Sequence, residues 1–254
     1  MKITFLGTGT SQGIPIIGSD DPVSKSTDPK DKRLRVSVMV EWGDYCYVID
    51  CGPDFRQQML SNDVKRIDGI LFTHEHADHI MGLDDIRPFF FRQGDVPIYA
   101  HQRVLDNLQI KFDYIFADKD RYPGAPAVKA NVVENNVPIT LGNLDVIPIN
   151  AFHNRLQVFG YRFDKFAYLT DVKMIEDEEV EKLKGVEVLV VNALRKKKHH
   201  SHFNVEEALE FIDQVQPKQA YFTHISPKLG FHEVVQKELP EGVFIAYDNL
   251  KIEI

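Results

Sequence analysis

Three observations predict an α/β fold. Short, mainly apolar runs at residues 67–72 and 186–191 have the length of buried strands, and 218–222 reads as a further strand. Strand-like runs followed by helical patterns recur through the second half of the chain, the alternation expected of an α/β protein. Apolar residues make up 43% and charged residues 27% of the 254, enough to build two packed sheets with helices outside, and we expect a single domain over 1–254.

Taken in order, residues 2–6 form a strand that runs into Gly7-Thr8-Gly9-Thr10-Ser11-Gln12-Gly13. No Gly-Lys-Ser/Thr follows, so this is not a phosphate-cradling Walker loop. The glycines permit a tight turn, and Ser11 with nearby backbone N–H groups is placed to line a cleft. A strand this early leaves no room for a signal peptide. Residues 19–35, with Pro22, Pro29 and alternating Lys and Asp, read as an exposed loop. Residues 35–40 and 45–49 alternate around Gly43-Asp44 as a hairpin. Asp50-Cys51-Gly52-Pro53 then opens a helix through 55–60, where Asp50 is a candidate cap.

The strand at 67–72 delivers Thr73-His74-Glu75-His76-Ala77-Asp78-His79. Three His and one Asp within six residues is a metal-ligand density, on a turn at a strand's C-terminal end where α/β sheets place their sites. The spacing is not that of the zinc-protease helix, because His-Glu-x-x-His would need His at position 78. His74 and His76 can converge on one ion, with Asp78 and His79 facing a second.

Residues 82–92 are helical in tendency and include Phe89-Phe90-Phe91, which cannot all face one core. Their excess surface forms a cleft wall or a homodimer contact, or is covered by the next loop. Residues 96–100 are a strand, His101 reads as a surface histidine, and 103–136 hold a helix-like piece and a loop. Strands follow at 144–150, 159–163 and 166–169, then a helix near 178–183. After the strand at 186–191 comes Arg195-Lys196-Lys197-Lys198-His199-His200-Ser201-His202, a basic run in a chain of net charge −8. An amphipathic helix from 203, a strand at 218–222 and closing strands at 243–246 and 250–254 complete the chain.

The motif resembles that of the metallo-β-lactamase superfamily, and the resemblance extends along nearly the whole chain. It implies a four-layer αββα sandwich with two metals at one edge of the sheets. It also implies further ligands, each here at the end of an apolar run: His153 for the first metal, Asp171 bridging both, and His224 for the second. Asp50 stands where the superfamily orients a metal-bound histidine. Some relatives carry Cys-x-Cys-x-x-Cys near residues 19–24; this chain has Ser19-Asp20-Asp21-Pro22-Val23-Ser24, and no third metal is expected.

Two divalent ions, zinc or manganese, less the charges of Asp78, Asp171 and a bridging hydroxide, leave a site of about plus one that suits an anionic substrate. The ions lower the pKa of the bridging water but cannot protonate a leaving alkoxide. His202 resembles the terminal catalytic His of the superfamily's phosphodiesterases, with Glu206 one helical turn later to orient it. Among the superfamily's branches the chain most resembles the PhnP-type phosphodiesterases, through Leu6-Gly7-Thr8-Gly9-Thr10, Asp50-Cys51-Gly52, the metal motif, Phe159-Gly160-Tyr161 and Thr223-His224-Ile225-Ser226. Transfer-RNA 3′-processing endonucleases come next, but their His-Glu-Ala-Thr is replaced by Val191-Asn192-Ala193-Leu194, and their inserted basic arm has no counterpart here. The expected activity is hydrolysis of a small, cyclic phosphodiester. The alternatives are that endonuclease activity, acyl or thioester hydrolysis, a diiron redox protein (disfavoured because such proteins place Glu where His76 stands), or a nucleic-acid-binding module. The acidic charge disfavours general nucleic-acid binding. No run is long enough for a membrane span, and Cys46 and Cys51 offer no disulfide framework, so a reducing cytoplasm is expected.

Overall fold

The computed structural model describes residues 1–117, 119 and 121–254. Two seven-stranded sheets account for the strands. The first sheet contains β1 (Lys2–Gly7), β2 (Ser37–Trp42), β3 (Tyr45–Ile49), β4 (Gly69–Leu71), β5 (Val96–Ala100) and β6 (Val128–Val132). The second contains β7 (Ile139–Leu141), β8 (Leu144–His153), β9 (Leu156–Phe163), β10 (Phe166–Tyr168), β11 (Val188–Asn192), β12 (Gln219–Thr223) and β13 (Val243–Ile245). The last strand, β14 (Lys251–Glu253), returns to the first sheet beside β1, giving the orders β14-β1-β2-β3-β4-β5-β6 and β13-β12-β11-β10-β9-β8-β7. Each sheet is antiparallel at one side and parallel from β3 to β6 or β10 to β13.

Alternation along the strands assigns the layers. Val38, Val40, Tyr47 and Ile49 point between the sheets, where they meet Phe159, Tyr161, Phe163, Tyr168 and Tyr221. Met39, Val48 and Ile70 point the other way, onto α1 (Phe55–Ser61), α3 (Arg87–Gln93) and α4 (Gln102–Lys111). The far face of the second sheet buries Ala167, Leu189 and Phe222 against α6 (Asp177–Glu181) and α7 (Val205–Val215). Period-two side chains thus give each strand two apolar faces, and the result is the αββα sandwich that the resemblance implied. The short helices α2 (Ala77–Ile80), α5 (Asp113–Phe116) and α8 (His232–Gln236) complete the set. No helix of the described residues is long and apolar enough to cross a membrane.

Several expectations need correction. The loop 19–35 is not simply exposed: Val23, Ser24, Asp31 and Arg33 are buried. Arg33 donates to Thr8 Oγ1 (2.7 Å) and to the Ala246 carbonyl (2.6 Å), and the His232 amide donates to Asp31 (2.8 Å), so distant segments pin the loop down. His101 is half-buried and caps α4, accepting from the Arg103 amide at 3.2 Å. The loop expected within 103–136 contains β6, and α8 was not anticipated. The phenylalanine run divides as its helical phase requires: Phe89 is 3% exposed and packs on Phe55, whereas Phe91 is 62% exposed.

Candidate metal centre

The site residues sit where strands of both sheets end. β4 leads to His74 and to His76, which caps the single turn of α2; that turn presents Asp78 and His79. β8 ends at His153, β10 precedes Asp171 by three residues, and β12 is followed directly by His224. Two bonds tie the sheets at this edge: the Phe159 amide to the Thr73 carbonyl (3.0 Å) and the Tyr161 hydroxyl to the Phe72 carbonyl (2.7 Å). Asp50, Asp171 and His224 share left-handed backbones with φ of 65°, 59° and 55°. Such a conformation is several-fold more accessible to Asp than to most residues, and its clustering at one cleft is the kind of local strain found at functional sites.

Hydrogen bonds decide which nitrogen each imidazole offers. His79 Nδ1 lies 2.7 Å from Asp50 Oδ2, and His74 Nδ1 lies 3.0 Å from Thr73 Oγ1. The Thr73 hydroxyl donates to Asp50, so it accepts the His74 proton. His153 Nδ1 lies 2.6 Å from the Ser201 carbonyl. An acceptor at Nδ1 places the proton there and leaves the Nε2 lone pair for the cleft. Asp50 therefore orients a histidine, and its alternative role as a helix cap falls away because Asp54 holds the N-cap position of α1.

Ligand atoms converge within 4.8 Å of one another in three groups: His74, His79 and Asp171; Asp78, His79 and His224; His153, Asp171 and His202. His76 joins them through Nδ1, 2.9 Å from His74 Nε2, with its ring centroid 5.2 Å from that of His153. All seven candidate ligands are thus brought together, and His202, expected as an acid apart from the ligands, is among them. Its Nε2 is 2.9 Å from Asp171 Oδ1, and its ring centroid is 4.4 Å from that of His153.

Among the described residues, Nε2 of His79 and both ring nitrogens of His224 are buried without a hydrogen-bond partner, although carboxylate oxygens of Asp78 and Asp171 stand 3.3 Å from His79 Nε2 and one of Asp171 stands 3.3 Å from His224 Nε2. Leaving such groups unpaired is costly unless a cation takes the lone pairs, and mixed imidazole and carboxylate donors are what divalent metals accept. The residues fit a metal centre. The carboxylates make this edge favourable to positive charge: burial opposes charge on His79, but Asp78, Asp50 and Asp171 outweigh it and push the ring's pKa well up. Burial likewise opposes charge on Asp171, and His224 and His79 outweigh it and hold the carboxyl well below its usual range. Burial lowers His74 strongly and takes His202 down to about 4, the latter against the pull of Asp171.

Glu206 does not orient His202; it is exposed on the outer face of α7. The residues that do face His202 Nδ1 are Ser201 (3.1 Å) and His199 (3.2 Å). Ser11 is exposed and lines a cleft of about 270 Å³ with Thr10, Gln12, Arg195, Ser226 and Lys228. The basic run is curled on itself, with Arg195 donating to the carbonyls of Lys197 (3.1 Å) and Lys198 (2.9 Å) and Lys196 paired with Glu238. Thr73 and Thr170 were missed; Thr170 donates to Asp171 Oδ2 at 2.8 Å. A signal existed, since Thr immediately precedes a candidate ligand in Thr73-His74, Thr170-Asp171 and Thr223-His224.

Comparison with known proteins agrees with this geometry. Residues 45–225 match the family described as the beta-lactamase superfamily domain. A solved structure described as a new diphosphatase from the PhnP family is 40% identical, with a TM-score of 0.92 over 100% of this chain and 97% of that one. The short form of human tRNase Z, at 21% identity and a TM-score of 0.71 over 100% and 99% of the two chains, shares the fold. Among curated relatives, the octanoyltransferase of Porphyromonas gingivalis is 38% identical over 99% of this chain and 51% of that protein. The ribonuclease Z of Methanocaldococcus jannaschii is 24% identical over 91% of this chain and 64% of that protein. The chain thus spans from about half to just under two thirds of these two relatives.

Proposed function

The chain belongs to the metallo-β-lactamase superfamily, as a metal-dependent hydrolase near its PhnP branch, and from that premise we propose that it is a phosphodiesterase acting on a small, cyclic phosphodiester. The observation that carries the reading is the placement of His202 beside Asp171 and His153, at the edge of the ligand cluster and not remote from it. His74, His76 and His153 would hold one divalent ion and His79, Asp78 and His224 the other, with Asp171 between them, and zinc or manganese suits this donor set. Bound there, such ions supply Lewis acidity toward a phosphoryl oxygen and acidify water near neutral pH.

The chain's own residues supply the rest. Asp50 and Thr73 hold His79 and His74 in the tautomers that face the cleft. His202 passes a proton from Nε2 to the departing oxygen. Burial lowers the ring's proton affinity and the hydrogen bond to Asp171 raises it, holding His202 at Nε2 facing the cleft. The hydroxyl-rich cleft between Ser11 and Lys228 receives the remainder of the ester. The PhnP-family diphosphatase supports phosphorus over carbon as the centre attacked, and the ribonuclease Z relatives favour transfer-RNA cleavage as the second reading. The octanoyltransferase shares only about half its length with this chain, and its name gives acyl transfer the lesser support.

The test is an activity panel on protein of defined metal content: bis-p-nitrophenyl phosphate, cyclic phosphates, a diphosphate, a precursor transfer RNA and a thioester. The proposal expects turnover of the small phosphodiesters in preference to the rest. Turnover of the thioester or the transfer RNA alone would overturn it.

A further inference from the structure

Glu75 lies between His74 and His76, and neither the metal assignment nor the proton transfer uses it. Its carboxylate turns away from the imidazoles toward α4, where Arg103 meets it. Arg103 Nε lies 2.8 Å from Glu75 Oε1, an ion pair too bent to count as a hydrogen bond, and Nη2 donates to Glu75 Oε2 at 3.1 Å. The same Nη2 donates to the Gln157 carbonyl at 2.6 Å. The Glu75 side chain is 15% exposed and that of Arg103 37%, so the pair is partly withdrawn from solvent.

Both ends of this link carry candidate ligands. Gln157 is on β9, opposite Phe152, and its neighbour Leu156 is the register partner of His153. Glu75 belongs to the turn that carries His74 and His76 from the first sheet. One guanidinium therefore joins the ligand turn of one sheet to the ligand hairpin of the other. Its own base is fixed, because α4 is anchored by the buried Val104, Leu105 and Leu108 and capped by His101 on the Arg103 amide. Arginine suits the task where lysine does not, since a planar fork reaches a carboxylate and a carbonyl at once.

We propose that Arg103 is a positioning residue that sets the spacing of His74 and His76 against His153, and with it the metal affinity of that side of the centre. The inference rests on the metal assignment above. Outer partners of metal ligands usually matter by about 10- to 100-fold in affinity, and removal of Arg103 also leaves the Glu75 carboxylate without its guanidinium.

The experiment compares wild-type protein with Arg103→Ala and Arg103→Lys. It measures zinc and cobalt affinity by chelator competition, the visible spectrum of the cobalt-substituted protein, and the melting temperature of the metal-free protein. The expected result is an affinity loss of about 10- to 100-fold in Arg103→Ala with an altered cobalt spectrum, and a smaller loss in Arg103→Lys. Unchanged affinity and spectrum would overturn the proposal, whatever happens to the melting temperature, because a merely structural ion pair moves only the latter. Should Arg103→Ala not fold, the lysine variant decides: affinity within twofold of wild type, with the same spectrum, refutes the role. Wild-type protein that binds neither metal would instead take down the metal assignment itself.

Discussion

A histidine that gives up a proton is distinguished from one that binds metal by what its loss does to different substrates. His202→Ala should spare metal content if the ring acts on the leaving group. It should then slow an alkyl phosphodiester by about 10²–10⁴-fold and an aryl one much less, because p-nitrophenolate departs unaided. The check is kcat on both substrates with metal measured in each preparation. Equal losses would point to substrate positioning, and loss of metal would make His202 a ligand alongside His153 and Asp171, as its distances allow. At this scale the candidate ligands were placed by the dense His-Asp motif and by the resemblance to the superfamily, and the ends of the strands at or before His74, His153, Asp171 and His224 bring those side chains to one edge. The partner of His202 was not legible. Asn204 accepts from the Glu207 amide at 3.0 Å while the Glu207 side chain accepts from the Asn204 amide at 3.0 Å, and this capping box starts α7 in a phase that turns Glu206 outward. The pattern Asn-x-x-Glu was visible, and reading it first would have excluded Glu206.

The metal turn is shaped by elements that carry no ligand. Gly52 approaches α2 so closely that a Cβ there would stand 2.0 Å from the Asp78 carbonyl oxygen, and one on Gly82 would stand 2.1 Å from the Gly52 carbonyl oxygen. Backbone, unlike a flexible side chain, cannot simply move aside. Gly52→Ala should therefore push α2 away from the cleft, lowering stability by about 1–3 kcal/mol as overpacked sites do, and should reduce bound metal because Asp78 and His79 ride on that turn. Denaturation of the metal-free protein together with metal stoichiometry tests both effects. A variant with normal stability and full metal content would show that the turn has slack that these distances deny. The strands themselves could be read from short apolar runs, with boundaries off by a few residues. The burial of Arg33 could not, because the groups that satisfy it come from Ala246 and His232, about two hundred residues further on, and no local pattern announces a partner at that separation.

In the whole molecule, the two sheets close on a shared layer of Phe159, Tyr161, Phe163 and Tyr168 at their centre, yet their ligand-bearing edge gathers imidazoles and carboxylates with buried nitrogens left unpaired. Composition allowed two packed sheets. That they pack as αββα with the ligands at one edge was implied by the resemblance to the superfamily, whose ligand order this chain follows from His74 to His224, across 150 residues. In this architecture metals held by His74, His153 and His224 would link the two sheets, so their removal should be felt globally. A ligand that binds only the folded state at about a thousand times its dissociation constant adds about 4 kcal/mol. For a domain of this size each kcal/mol moves the midpoint by about 2–4 °C. Chelation should therefore lower the melting temperature by about 10 °C, and zinc or manganese should restore it while magnesium, which prefers oxygen ligands, should not. The measurement is a thermal melt of chelated and reconstituted protein at fixed pH and ionic strength. A melting temperature indifferent to chelation would mean that the sheets hold the edge together alone, with the unpaired nitrogens of His79 and His224 satisfied by water.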